Sequence, residues 1–234
     1  MIAAAPGADL DWLAARLGWR AQDAALVARA LTHRSAGGAD NERLEFLGDA
    51  VLSFVVAELL YREFGDAPEG DLSRYRAVLV SGETLADVAE TLDIGTHLRI
   101  GPGELRSGGF RRRSILADAF EALLGAVYLD GGLDAARGVV ERLWRPRLVA
   151  LRATPPPKDP KTRLQEHLQA RSLGLPAYSV ESVSGEPHEQ LFAVRCSVGA
   201  LGASAEGRGT SRRRAEQQAA ERLLDGLESK RAAP

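Results

Sequence analysis

Two apolar segments of the chain carry carboxylates on one face, and the first surrounds residue 45. Glu42, Glu45 and Asp49 stand at i, i+3 and i+7, which places them within about 60° of one another on a helix. The rest of residues 44–56 is apolar nearly all round, as in a helix buried within an all-α core. A carboxylate in such surroundings loses hydration, so it must be protonated, pair with a cation or coordinate a metal.

The second segment, residues 115–129, contains Asp118 and Glu121 at i and i+3 and no basic residue. If the two helices pack with their acidic faces together, the carboxylates form a cage of hard oxygen ligands that repel one another without a divalent cation. Mg²⁺ suits such a cage, because it prefers a few carboxylates together with water and phosphate oxygens. The predicted chemistry is activation of water against a phosphodiester. The four predicted ligands are Glu45, Asp49, Asp118 and Glu121.

A structural explanation of each acidic pair stays open. Acidic residues in the first turn of a helix interact favourably with its dipole, as Glu42 would. Arg43 and Arg113 are close enough in the sequence to pair with neighbouring acids. The occurrence of two such pairs on two strongly apolar segments favours the metal site.

Composition narrows the function classes. The chain has 234 residues, a formal net charge of −2 and a single cysteine, Cys196. One cysteine excludes an intramolecular disulfide and a thiolate zinc cage, which predicts a reducing compartment and therefore the cytoplasm. No stretch approaches the roughly 18 to 20 uncharged apolar residues that span a bilayer, so no membrane association is predicted. Nucleic-acid binding, if present, must come from local clusters of charge.

The clearest domain boundary is the Pro-rich segment, where four of the six residues 155–160 are proline. It predicts an all-α domain at residues 1–152, a linker at 153–158, a small α+β domain at 159–228 and a frayed tail at 229–234. Helices of the first domain are predicted near residues 8–17, 22–32, 41–64, 71–80, 82–92, 112–129 and 132–151, with no strand. The second domain is predicted to be α-β-β-β-α, with helices at 161–171 and 211–227 and strands at 177–186, 190–198 and 200–207.

A basic cluster stands at the predicted start of the last helix. Residues 208–214 contain Arg208, Arg212, Arg213 and Arg214 and no acid. A helix N-terminus already presents free N–H groups and partial positive charge to phosphate, so added arginines predict a nucleic-acid contact. The alternative is a solvated surface patch.

The residues around these motifs resemble two known families. Residues 41–52, NERLEFLGDAVL, resemble the signature helix of ribonuclease III, and residues 31–36, 69–81 and 108–132 resemble its other segments in the same order. Residues 159–228 resemble a double-stranded-RNA-binding domain, whose closing helix matches Gly207-x-Gly209-x-Ser211-Arg212-Arg213 with arginine in place of the commoner lysine pair.

This resemblance implies a homodimeric, Mg²⁺-dependent endonuclease that cuts double-stranded RNA and in which Mn²⁺ substitutes for Mg²⁺. The implied products carry 5′-phosphate and 3′-hydroxyl ends with short 3′ overhangs, and the implied substrates are ribosomal and other RNA precursors. The implied catalytic residues are Asp49, Glu121 and Glu42, with Glu121 bridging the metal and the reacting groups.

Three further residues are interpreted individually. Phe46 is core packing by default, whereas the resemblance makes it a knob that enters a socket on the second subunit. Glu69 matches an acidic position near the RNA. His33 is interpreted as structural rather than as a general base.

Double-stranded-RNA-binding domains recognise A-form shape through two minor grooves and the phosphates between them. By position, the minor-groove contacts are Thr162, Gln165, Gln169 and His188, and the phosphate contacts are Arg212, Arg213 and Arg214. Two other functions remain open: a double-stranded-RNA-binding regulator that does not cleave, and an all-α metal-dependent hydrolase of nucleotides or pyrophosphate. No phosphate-binding P-loop or dinucleotide fingerprint is present, and no organic cofactor is predicted.

Overall fold

The computed structural model describes residues 8–155, 158–186 and 189–232. The chain forms two compact units that divide between residues 156 and 157. The first unit is helical and the second combines helices with one sheet, so the predicted fold class is confirmed. No helix of the described residues is long and apolar enough to cross a bilayer.

The first unit contains eight helices within the described residues. The seven predicted helices correspond to α1 to α5 and α8, whereas α6 and α7 have only four and five residues and are too short to give an apolar period. The helices are α1 (Ala8–Leu17), α2 (Ala24–Ala30), α3 (Glu42–Glu63), α4 (Glu69–Leu79), α5 (Gly82–Thr91), α6 (Ile94–His97), α7 (Pro102–Arg106) and α8 (Arg113–Ala153).

Helix α8 combines the two helices predicted at residues 112–129 and 132–151. It is interrupted at Gly132, whose φ of 76° and ψ of −175° are not helical and are readily adopted only by glycine. Beyond this break, the indole Nε1 of Trp144 donates a hydrogen bond of 3.1 Å to the backbone oxygen of Leu79. This bond fixes the second half of α8 to the end of α4.

Helices α3 and α8 form the centre of the first unit. Apolar side chains from both helices are fully buried against each other, among them Leu52, Val55, Phe120 and Leu123. Each such side chain contributes roughly 1.5–3 kcal/mol to the free energy of unfolding. Helix α4 also packs against α3, whereas Phe46, Phe54 and Tyr61 of α3 stay exposed.

The backbones of α3 and α8 touch where two glycines face the opposite helix. A Cβ atom added to Gly48 would lie 1.8 Å from the backbone oxygen of Glu121, and one added to Gly125 would lie 2.3 Å from that of Leu44. No L side chain fits at such distances. The two glycines therefore set the spacing of the helices.

The described residues of the first unit contain no strand, as predicted, and a single isolated parallel bridge joins Thr32 and Arg99. The backbone N–H of His33 donates to the Arg99 oxygen at 2.9 Å, and the N–H of Arg99 donates to the Leu31 oxygen at 2.8 Å. A lone bridge leaves no alternating pattern in the sequence. It holds the loop that precedes α3.

The second unit has the predicted order α-β-β-β-α. Its helices pack on one face of an antiparallel sheet of order β1-β2-β3, around a core that includes Leu164, Cys196 and Leu223. The elements are α9 (Pro160–Gln169), β1 (Ala177–Ser184), β2 (Leu191–Val198), β3 (Ala203–Gly209) and α10 (Arg212–Ala232).

Two boundaries of the second unit differ from the prediction by three residues or more, and the others differ by at most two. Strand β3 begins at Ala203 rather than residue 200, because Gly199–Leu201 is a 3-10 turn that ends at Gly202 with a φ of 57°. The frayed tail predicted at 229–234 is wrong up to Ala232, since α10 continues to that residue and no Gly or Pro interrupts residues 227–232. Residues 233 and 234 lie outside the described residues.

We expect Gly48→Ala to lower the free energy of unfolding by at least about 2 kcal/mol, because the added methyl group must push α3 and α8 apart. Urea denaturation of the full chain measures the effect. Gly138→Ala is the matched control: Gly138 is exposed on α8, and nothing lies within 4 Å of its added Cβ. This control should gain roughly 0.5–1 kcal/mol from helix propensity. Wild-type stability of Gly48→Ala would contradict the close helix contact.

Candidate metal centre and nucleic-acid interface

Three carboxylates converge beside the contact between α3 and α8. One ligand oxygen from each of Glu45, Asp118 and Glu121 lies within 4.8 Å of the other two, and all three residues are half-buried. Glu45 stands one turn before Gly48, and Glu121 stands one turn before Gly125. The same glycines that let the backbones touch therefore bring the carboxylates together.

Asp49 lies outside this group of three. It is exposed on α3, one residue after Gly48. Its charge nevertheless acts on Glu121, because it is one of the causes that raise the pKa of that carboxyl group. Asp49 thus borders the cluster at its exposed side.

Burial and mutual repulsion disfavour the charged forms of the cluster. Burial, followed by the charges of Asp49, Glu45 and Asp118, raises the pKa of Glu121 from its ordinary value of 4.5 to about 8. Burial is also the first cause that raises the pKa of Asp118 and of Glu45, and Asp118 adds to the effect on Glu45. The cluster is therefore a site of concentrated negative charge that a bound cation would relieve.

A polar cavity of about 490 Å³ opens beside the cluster. Two ion pairs line it: the Nη1 atom of Arg34 lies 3.2 Å from a carboxylate oxygen of Glu42, and that of Arg112 lies 2.7 Å from one of Glu104. Glu42, a predicted catalytic residue, is thus paired at the cavity wall and lies outside the group of three.

Sequence reasoning missed Glu104 and Arg112. Glu104 belongs to the short helix α7, and Arg112 precedes α8, so neither belongs to a periodic segment that would have indicated a shared site. The glutamate at position 69, predicted to lie near RNA, begins α4 and accepts a hydrogen bond of 2.6 Å from Ser73.

Asn41 is a third residue of this cavity that sequence reasoning missed. It is 3% exposed, and its Nδ2 atom has no hydrogen-bond partner among the described residues. It precedes α3, yet its side chain makes no capping hydrogen bond. The sequence signal was an asparagine at a helix start, which normally indicates only a cap.

His33 has the structural role expected from the sequence. Its Nδ1 atom accepts a hydrogen bond of 3.2 Å from the backbone N–H of Ser35, which caps the 3-10 turn Arg34–Ala36. The Ser35 hydroxyl in turn accepts a hydrogen bond of 2.9 Å from the N–H of Gly101. The ring also lines the polar cavity.

Six of the seven predicted RNA-binding residues lie on the two helices of the second unit. Gln165 and Gln169 are exposed one turn apart on α9, and the hydroxyl group of Thr162, one turn earlier, donates to Asp159 at 2.6 Å. The three arginines begin α10 and are exposed. His188 lies outside the described residues.

Phe46 is exposed rather than packed in the core. Its exposed fraction is 81%, and two other aromatic side chains of α3, Phe54 and Tyr61, are 55% and 76% exposed. Helix α3 therefore presents large apolar side chains to solvent although its other faces are buried.

Glu121→Gln should change how stability depends on pH in the absence of metal. Because the pKa of Glu121 is about 8 in the folded protein and 4.5 is its ordinary value, only the folded chain holds this proton between those pH values. Its contribution to the free energy of unfolding is complete below about pH 4.5 and is lost as pH rises through about 8.

Glutamine keeps the shape without the charge, so the variant should lack this part of the decline. Thermal unfolding in EDTA between about pH 5 and pH 9 should show the variant gaining stability over the wild type as pH rises. Glu221→Gln, at an exposed position of α10, is the control. Parallel pH profiles for wild type and Glu121→Gln would contradict the raised pKa.

Comparisons with known proteins agree with both units. Residues 23–148 match the family model Ribonuclease-III-like, and residues 160–227 match the model of the double-stranded RNA binding motif. Ribonuclease 3 of Alkalilimnicola ehrlichii is 57% identical over 220 residues, which are 94% of this chain and 96% of that protein. Ribonuclease 3 of Vibrio cholerae is 53% identical over 218 residues, which are 93% and 97% of the two chains.

A solved structure is similar to the first unit. It is the nuclease domain of ribonuclease III from Campylobacter jejuni, described as flexible in a region involved in dimer formation. The identity is 41% and the TM-score 0.56, over 57% of this chain and 94% of that one. With both domains matched and relatives aligned over nearly their whole length, the chain belongs to the ribonuclease III family of metal-dependent endoribonucleases that act on double-stranded RNA.

Proposed function

We propose that this chain uses Mg²⁺, for which Mn²⁺ substitutes, to hydrolyse double-stranded RNA to 5′-phosphate and 3′-hydroxyl ends with short 3′ overhangs. The proposed substrates are ribosomal and other RNA precursors, and the proposed location is the cytoplasm, which suits a single buried cysteine. The observation that carries the proposal is the convergence of Glu45, Asp118 and Glu121 between α3 and α8.

The residues of the cluster fit a divalent cation. Carboxylates are the hard oxygen donors that Mg²⁺ prefers, and three of them leave positions for water and phosphate oxygens. Burial raises the pKa of all three carboxyl groups, and neighbouring carboxylates raise the pKa of Glu121 and Glu45 further, so a cation would offset both effects. Asn41 lines the adjoining cavity, and its buried Nδ2 atom, which has no hydrogen-bond partner within the described part of the chain, would donate to a water or phosphate oxygen there.

We assign metal binding to Glu45, Asp118 and Glu121, with Asp49 as a further ligand from the exposed side. A bound divalent cation supplies a Lewis acid that lowers the pKa of water and offsets the charge that develops on the phosphate. Because the pKa of Glu121 is about 8, this carboxyl group must release its proton before it coordinates. Metal affinity should therefore rise with pH up to about 8.

The wall of the polar cavity beside the cluster carries positively charged side chains. Arg34 and Arg112 lie beside the carboxylates, each paired with a glutamate. Without such cations, the acidic cluster would repel the RNA backbone. We assign these arginines to phosphate oxygens near the reacting group, and Glu42 to holding Arg34 in place.

We assign recognition of A-form RNA to the second unit. Thr162, Gln165 and Gln169 follow one another at helical spacing on α9, which suits a minor groove. The arginines at the N-terminus of α10 add side-chain charge to the helix dipole, which suits the adjoining phosphates. The contact predicted for His188 stays a prediction.

We also propose a homodimer. The Campylobacter jejuni nuclease domain is described as having a region involved in dimer formation. Phe46, Phe54 and Tyr61 leave an apolar face on α3 whose burial against a second copy would be favourable, with Phe46 inserted into the partner. Sedimentation that shows only a 25.1 kDa species at micromolar concentration would contradict the dimer.

Neutralising the start of α10 should weaken RNA binding irrespective of RNA sequence. We expect Arg212→Gln with Arg213→Gln to raise Kd for duplex RNA about tenfold or more and to reduce the slope of log K against log salt by about 2. Fluorescence anisotropy in EDTA measures both. Arg195→Gln is the control, because Arg195 pairs with Glu181 and Glu206 within the sheet. An unchanged Kd and slope would remove the assignment.

Cleavage of a perfect RNA duplex with and without Mg²⁺ tests the catalytic proposal. The wild type should cut only with Mg²⁺, and Glu121→Gln should cut at least about a hundredfold more slowly while it still binds RNA. Products that an RNA ligase joins without prior phosphorylation would establish the proposed ends. Glu141→Gln, on α8 outside the cluster, is the control. Binding without cleavage by the wild type would favour a regulatory double-stranded-RNA-binding protein.

A further inference from the structure

Glu216 is a buried carboxylate in the RNA-binding unit. Among the described residues it is the only charged one that is buried, with a residue exposure of 9%. It lies one turn into α10, on the side that packs against the rest of the second unit. Burial of a charge is costly unless it is paired and hydrogen-bonded, so its partners explain why it is tolerated.

Its two oxygens join cations from two helices. The Oε2 atom accepts a hydrogen bond of 2.7 Å from Nζ of Lys161, the second residue of α9, and Oε1 accepts one of 2.9 Å from Nε of Arg212, the first residue of α10. The Lys161 ammonium also lies 4.3 Å from the ring centroid of Tyr178 on β1. One carboxylate thus links the starts of both helices.

The manner in which Arg212 is held suits a second partner. The hydrogen bond to Glu216 uses Nε and leaves the terminal Nη1 and Nη2 groups for other acceptors. The Arg212 side chain is 64% exposed, whereas the Glu216 side chain is 11% exposed. A guanidinium group that is anchored at its base and open at its tip is suited to bidentate contact with a phosphate.

The anchor is charged and stable. Burial raises the pKa of Glu216, but the hydrogen bonds from Lys161 and Arg212 outweigh that effect and hold the pKa below its ordinary value. Fixing Arg212 in advance reduces the side-chain entropy that is lost when phosphate binds.

We propose that Glu216 is a positioning residue for RNA binding, which fixes Arg212 for phosphate and ties it through Lys161 to the start of α9. The phosphate contact of α10 then keeps a fixed spacing from the minor-groove side chains of α9. The inference rests on the proposed recognition of duplex RNA by the second unit.

A role of Glu216 in positioning Arg212 and a role through its negative charge alone predict opposite effects of its removal on RNA binding. Glu216 places a negative charge beside the arginines that meet RNA. If it acted through charge alone, its removal would tighten RNA binding and steepen the dependence on salt. If it positions Arg212, its removal weakens binding although a repulsive charge has been lost.

The test is Glu216→Gln in the full chain, with duplex RNA binding measured by anisotropy in EDTA over a salt series. We expect binding to be about fivefold to tenfold weaker and the salt slope smaller by about 1. Glu221→Gln, at an exposed position on the same helix, makes the same change of charge and should bind as tightly as the wild type or slightly more tightly. Wild-type or tighter binding by Glu216→Gln overturns the inference.

Combining Glu216→Gln with a second substitution distinguishes a loss of Arg212 positioning from a loss of folding. In Arg212→Gln, the added Glu216→Gln change should cause no further loss, and additive losses would overturn the inference. The second background is Lys161→Met, in which no ammonium group faces the glutamine amide at position 216. The double variant Lys161→Met with Glu216→Gln should therefore have the same thermal unfolding midpoint as Lys161→Met alone. It should still bind RNA more weakly than Lys161→Met alone. Equal binding by those two variants overturns the inference as well.

The same measurements distinguish failure of the proposed function. If the wild type does not bind duplex RNA, or if Arg212→Gln with Arg213→Gln binds as the wild type does, the RNA-binding assignment itself fails. If both of those results are as expected and Glu216→Gln binds normally, only the positioning role of Glu216 fails.

Discussion

The contact between the backbones of α3 and α8 is the constraint on which the first unit depends. Gly48 and Gly125 admit no side chain, so each helix axis lies as near the other as its backbone permits. Buried apolar side chains of both helices pack around this contact. Since Glu45 and Glu121 each stand one turn from a glycine, the contact that completes the core also forces carboxylates together.

The packing that stabilises the fold therefore disfavours the charged carboxylates that metal binding requires. Packing that excludes water raises the pKa of Glu121 to about 8, and the metal-free protein keeps the proton at neutral pH. In the proposed function, a divalent cation held by Glu45, Asp118 and Glu121 would replace that proton and would supply the positive charge that hydrolysis of a phosphodiester needs. The second unit solves a similar problem differently, since buried Glu216 is balanced by Lys161 and Arg212 from the chain itself.

The sequence was sufficient to predict site residues that lie at helical spacing on one face of a long helix. Acidic positions on two apolar helices predicted the meeting of Glu45, Asp118 and Glu121, because helical spacing fixes which side chains share a face. The sequence was insufficient to predict contacts that arise only when separate elements pack together. Asn41 resembles an ordinary cap, Glu104 comes from a five-residue helix, and the pairing of Glu216 with Lys161 joins residues far apart in the chain. No local pattern reports such meetings.

Anomalous diffraction from crystals soaked in Mn²⁺ at about pH 8.5, where Glu121 gives up its proton, tests most directly whether this helix contact builds a metal site. A manganese peak within about 2.5 Å of oxygens from Glu45, Asp118 and Glu121 is the predicted result. A peak at other acids alone, such as those that surround Arg113, or no peak between α3 and α8, would contradict it.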